Sequence, residues 1–174
     1  MISKWLVSSW PMLLALALGV YFFLINILGP DFAYFSGDLG DARLNIYFLE
    51  HAYRFFTGQV DSFWNAPFMY PTPDVMSYSD TLLGSAPIFA LFRLLGCDVY
   101  TSFQWWYAVL VILNFSAAYL FLNYVFKNRY AAALGAFVFA FSIGIHSQGY
   151  HAQTFARFAI PIALLMAVKF KESL

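Results

Sequence analysis

The sequence predicts an all-α fold: a polytopic helical membrane protein with about four transmembrane helices, plus interfacial helices in the first external loop. Three observations carry this. Apolar and aromatic residues make up 62% of the chain and charged residues only 10%, whereas a soluble domain carries about 25% charge. The apolar residues gather in four long runs separated by polar turns. The charges are segregated: eight of the nine acids lie between Asp31 and Asp98, and only Glu172 lies outside. The formal net charge is zero and no basic tract is present, which argues against a nucleic-acid partner. Cys97 has no second cysteine in the chain to pair with, so no internal disulfide framework exists. The chain reads as one membrane module over residues 1–174.

The first span is residues 11–29, apolar throughout except Asn26. About 20 such residues cross the hydrocarbon. Pro11 suits a first helical turn, and Gly29-Pro30 is a stop signal. A cleaved signal peptide is the alternative, but its apolar core runs to about 7–15 residues and ends at small residues. This run is longer and ends Ile-Leu-Gly-Pro-Asp, so an uncleaved helix is expected.

Residues 31–100 form the external loop. Asp41 is placed to cap a helix running to about Thr57, with Gly58 as its stop. Glu50 and Arg54 are four apart on that helix, with Arg43 on the same side. Leu44, Phe48, Ala52 and Phe55 form an apolar stripe, so the helix should lie in the membrane interface. Pro67, Pro71 and Pro73 then enforce an extended aromatic loop. Asp80 is read as a cap for the next element, an apolar helix ending near Leu95 and Gly96. That helix is too short to span and carries Arg93, so it is re-entrant or interfacial.

The second span is 101–126, opened by an interfacial belt of Trp105, Trp106 and Tyr107. Asn114 near its middle should bond to a neighbouring helix. The third span is 130–145, where Ala132, Ala136, Ala140 and Gly144 form a row of small residues suited to close packing in lipid. The polar turn His146–Gln153 precedes the last span, 154–168, where Pro161 should introduce a kink. Lys4, Lys127, Arg129, Lys169 and Lys171 fall on one side of such a bundle, which is therefore cytoplasmic, with both termini. The acidic loop and the His146–Gln153 turn fall outside the cytoplasmic membrane.

The chemistry gathers at Gly37-Asp38-Leu39-Gly40-Asp41-Ala42-Arg43-Leu44-Asn45. Carboxylates beside a hydrocarbon layer are costly to desolvate, which marks Asp38 and Asp41 as candidates. Either could deprotonate an acceptor hydroxyl or bind a metal; the plainer reading is turn chemistry and a helix cap. Arg43, Arg93 and Arg157 could snorkel at a headgroup boundary or clamp a lipid phosphate with their planar forks. Arg157 is the best placed of them. His146 and His151 are five apart, not a familiar metal spacing. No metal-ligand set is identified, although a divalent metal at the carboxylates is possible. His151, Gln153 and Asp80 complete the candidate substrate-binding set. Tyr70, Tyr78 and Trp64 could stack on a sugar, although aromatic belts are commoner.

Several stretches together carry a resemblance. They are the Gly-Asp-x-Gly-Asp-x-Arg-Leu-Asn start of the loop helix, Phe63-Trp64-Asn65-Ala66-Pro67 with Tyr70-Pro71, Ser79-Asp80-Thr81-Leu82-Leu83-Gly84, the Arg129–Ser142 small-residue pattern, and His151-x-Gln153. The combination resembles the amino-terminal part of bacterial membrane proteins of the GT-C glycosyltransferase superfamily. The resemblance implies sugar transfer from a polyprenyl-phosphate donor to an envelope glycan, lipid or protein acceptor on the extracytoplasmic side. It implies an inverting in-line displacement, with a catalytic carboxylate in the first external loop, where Asp41 matches best and Asp38 is its neighbour. Such enzymes are longer, so the chain is expected to be a truncated piece, with further chain or other membrane helices as partners beside the lipids. A non-catalytic scaffold or transporter fragment is the alternative. The span interiors lack Asp, Glu, Lys and His, which counts against an ion or proton pathway.

Overall fold

The computed structural model describes residues 2–34, 40–142 and 151–173, with side chains from residue 9 onward. Every regular element among them is helical. The long helices are α1 (Ile2–Leu28) and α4 (Val99–Phe126), and the shorter ones are α2 (Asp41–Phe56), α3 (Ala86–Leu94), α5 (Arg129–Phe141) and α6 (Ala159–Glu172). Three helical stretches are long and apolar enough to cross a membrane: Ser9–Phe32, Val99–Phe126 and Ala152–Glu172. The third expected span, 130–145, appears as α5, which has 13 residues, fewer than the roughly 20 a crossing needs. Residues 143–145 of that expected span, Gly144 among them, lie outside the described residues.

Helix α4 is the centre. It packs against α1, α3, α5 and α6, and Trp106, Tyr107, Leu110, Val111 and Phe115 on it are wholly buried. Its start is fixed by Asp98, whose Oδ1 accepts from the backbone N–H of Tyr100 at 2.8 Å and of Thr101 at 3.1 Å. That satisfies two donors the first turn would otherwise leave open. Asn128 does the same for α5, accepting from the Tyr130 and Ala131 N–H groups. The α4–α5 seam is the expected row: Ala132, Ala136 and Ala140 are all buried, so the two backbones approach closely. Asn114 reaches out of α4 as expected, its Nδ2 donating to the Phe155 carbonyl at 2.7 Å.

Four sequence-based expectations change. Helix α1 begins well before Pro11, which lies inside it; long apolar helices tolerate such a proline where neighbours re-satisfy the backbone. Pro161 does not kink α6, because α6 starts at Ala159 and the proline falls in its first turn, where its missing N–H costs nothing. Helix α2 buries Ala42, Asn45, Ile46, Phe48, Leu49, His51 and Ala52, while Leu44 and Phe55 of the expected stripe stay exposed. The reason is that α2 packs on α3 and α4 and is part of the core. Asp80 is exposed, and α3 starts at Ala86 with Ser85 before it and no side-chain cap, so the expected cap at Asp80 is absent.

The ends of the bundle differ. At the carboxyl end of α4, the Lys127 and Lys169 ammonium groups lie 3.9 Å and 5.2 Å from the centre of the Tyr124 ring. At the other end, α2 meets the segment that leads into α6. The acidic loop and the 151–153 segment therefore share one end, and the basic turns share the other.

Candidate functional site

Helix α2 begins at Asp41 with Gly40 before it, and no side chain caps it. Asp41 is the first helical residue, not the cap, so its carboxylate is free to reach elsewhere. It reaches His151: Nδ1 of the imidazole lies 2.7 Å from Oδ2 of Asp41. One turn along α2, Asn45 projects in the same direction, and its Nδ2 donates to Oε1 of Gln153 at 2.8 Å. That bond fixes the Gln153 amide with its carbonyl toward Asn45, leaving its NH₂ for Asp41, where it forms a second hydrogen bond. Four side chains from two segments thus form one network. Gln153 lies in a short turn, Ala152–Phe155, with His151 immediately before it; the turn is anchored by the buried Ala152 and Phe155 and by the Asn114 bond to the Phe155 carbonyl.

The electrostatics follow from the hydrogen bonds. The His151 and Gln153 contacts favour the ionised carboxylate and hold Asp41 below its ordinary value of 3.8. The side chains of Asp41 and His151 are 44% and 47% exposed, so the pair opens to water and to any ligand. Chemically it can work in two ways. Asp41 can accept a proton directly, or it can orient His151 through Nδ1 and leave Nε2 to carry the proton, as a carboxylate does for an imidazole in a catalytic triad.

Asp38 and His146 lie outside the described residues. Arg157 sits between the Ala152–Phe155 turn and α6, with its guanidinium carbon 5.4 Å from the centre of the Phe139 ring. Its Nε and Nη2 are buried and have no hydrogen-bond partner among the described residues. A buried guanidinium is costly unless an anion meets it. Arg43 is exposed and lines a cavity with Tyr47, Glu50 and Arg54. By helical position that side of α2 is about 120° to 180° away from Asp41. The structure therefore brings Asp41, His151 and Gln153 together; Arg43 lies on another side of α2, and among the described residues no hydrogen bond or ion pair joins the exposed Asp80 to them. Asn45 was missed as a functional residue; its spacing of four from Asp41 was the available signal. The partner of Arg93 was also missed. It is Glu50, with Nε of Arg93 2.9 Å from Oε2. Among the described residues no group of three His, Cys, Asp or Glu side chains is placed to hold a metal ion.

No family model, curated protein or solved structure matches the chain.

Proposed function

We propose that the chain is the amino-terminal membrane module of a glycosyltransferase of the GT-C type. It takes a sugar from a polyprenyl-phosphate donor at the extracytoplasmic face of the cytoplasmic membrane, with both termini inside. The observation that supports this best is the Asp41–His151 contact at 2.7 Å. It joins two of the stretches that together carry the resemblance, at the end of the bundle away from the basic turns.

In this reading the acceptor hydroxyl binds at the Asp41–His151 pair. Its proton passes to the carboxylate as the oxygen attacks the anomeric carbon. The bond from that carbon to the phosphate oxygen breaks, polyprenyl phosphate leaves, and configuration inverts. His151 and Gln153 orient the carboxylate, and Asn45 orients Gln153. Arg157 offers the phosphate the buried donors that lack partners among the described residues, and a planar guanidinium suits phosphate oxygens.

The experiment is a transfer assay on the protein expressed from its complete reading frame in membrane vesicles. Polyprenyl-phosphate donors carrying different labelled sugars are supplied from the outer side. Label passing to a membrane or glycan acceptor is the expected result. Absence of transfer from every donor, with the protein folded and inserted, would leave the scaffold reading in its place.

A further inference from the structure

The end of the bundle away from the Asp41–His151 pair carries a cluster of its own. Tyr124, in the last turn of α4, is met by two ammonium groups. Nζ of Lys127 lies 3.9 Å from the ring centre, and Nζ of Lys169, from α6, lies 5.2 Å from it. The Tyr124 hydroxyl donates to the Glu172 carboxylate at the edge of the ring. We infer that this cluster binds the headgroup of an anionic phospholipid, in the leaflet at this end of the bundle.

Charge selects the ligand. Two ammonium groups beside one ring repel each other, and neither forms an ion pair among the described residues. The ring face attracts cations but does not neutralise them. Lys171 adds a further ammonium on α6, and Glu172 is the sole carboxylate side chain after Asp98. An anion between Lys127 and Lys169 relieves the repulsion. The backbone points the same way. Lys127 closes α4 in a left-handed conformation, at φ 51°, where glycine is the usual residue. Glycine there would end the helix with less strain, but would leave the ring with one ammonium group.

Position selects a lipid over a soluble anion. The half-exposed rings of Trp10 and Tyr130 meet at this end with centroids 5.9 Å apart, and such aromatic belts sit at headgroup depth. Phe126 and Phe170, next in the chain to the two lysines, are 58% and 66% exposed. They offer apolar surface that acyl chains cover and water does not. A phosphocholine headgroup would bring its own cation to a site that already holds two. A basic pocket between spanning helices suits a phosphodiester without that cation. The inference does not depend on the transfer reading, nor on which face of the membrane this end meets.

The test uses the whole chain in uncharged detergent, with native mass spectrometry counting bound lipid. The probes are dioleoyl phosphatidylglycerol, dioleoyl phosphatidylcholine and glycerol 3-phosphate. The parent protein should bind phosphatidylglycerol in preference to phosphatidylcholine. Lys127→Gln and Lys169→Gln should each lower that preference about fivefold, and together about thirtyfold, the size of one and two lysines' attraction to an anionic headgroup. Lys169→Arg keeps the charge and should keep the preference. Lys171 is two positions from Lys169, about 200° around α6, so Lys171→Gln removes the same charge and should change the preference by less than about twofold. All three lysines are exposed, so a change in lipid preference at unchanged melting temperature reads the cluster itself. Three results would overturn the inference: the two lipids bind equally, Lys171→Gln lowers the preference as far as Lys169→Gln does, or glycerol 3-phosphate displaces phosphatidylglycerol. The second would reduce the cluster to general charge attraction, and the third would make it a site for free phosphate.

Discussion

Asp41 and His151 are 110 residues apart in the chain, and their side chains meet at 2.7 Å. Between them the chain runs through α2, α3 and the loops beside them, then α4 and α5, and residue 151 lies at the end from which the chain left. The contact therefore states a topology as well as a site. It requires residues 41 and 151 on one side of the bundle, as the charge distribution of the sequence had implied.

That topology is open to labelling. Tyr70 is 87% exposed on the loop, and Ser173 is exposed beyond α6. In a Cys97→Ala background, Tyr70→Cys should react with an impermeant thiol reagent in intact cells. Ser173→Cys should react only after permeabilisation. Reaction of both before permeabilisation would contradict the proposed orientation.

The Asp41 carboxyl is held below its ordinary value of 3.8 by hydrogen bonds from His151 and Gln153. A depressed carboxylate stabilises the folded state above its unfolded pKa. That contribution is lost as pH falls through the folded pKa. The wild type should therefore melt above Asp41→Asn at neutral pH, and the gap should close as pH falls below about 4. A gap unchanged at pH about 3 would show that the carboxylate is not ionised against these partners.

The α4–α5 seam offers a packing test. Ala136 is fully buried and Val138 is 56% exposed. Ala136→Leu should destabilise the protein by about 1–3 kcal/mol, the range for overpacking a filled interior. Val138→Leu should stay within about 0.5 kcal/mol, as surface changes do. Melting temperatures in detergent compare the two, and equal losses would remove the seam from the account.

Gly19 tests the packing of α1 against α5. A Cβ there would lie 2.2 Å from the ring of Phe141. That ring has little room to move, because Phe23, Phe115 and Phe137 surround it at centroid distances of 5.8, 5.9 and 5.3 Å. Gly19→Ala should lower stability by about 1–3 kcal/mol despite the helix propensity of alanine. A rise in melting temperature would mean that α1 does not dock as described.

Much of the fold could be read directly. Apolar length located α1 and α4, and the alanine spacing marked the packing face of α5, because both signals are local. Gly58 and Gly96, at φ of +70° and +90°, ended their helices where the sequence suggested. The buried face of α2 could not be read the same way. Its stripe was drawn through Leu44 and Phe55, but the face that packs is set by where α3 and α4 lie, and that is tertiary information. The Glu50–Arg93 pair escaped for the same reason, since Glu50 had a plausible local partner in Arg54. Of the candidate site, each half carried its own polar motif. Only the folded chain shows that Asp41 gives up its capping role to meet His151, and that Arg43 turns away from both.

The central claim is that the Asp41–His151 pair handles the acceptor's proton, and Asp41→Asn turnover with bound donor measures it most directly. Asparagine keeps the size of the side chain and a carbonyl oxygen for His151 but cannot take up the proton. Sugar transfer should fall by about 10²–10⁴-fold, the usual cost of losing a general base, while donor affinity and protein yield stay near the parent values. Transfer by Asp41→Asn at the parent rate, with donor bound equally well, would contradict the catalytic reading of this site.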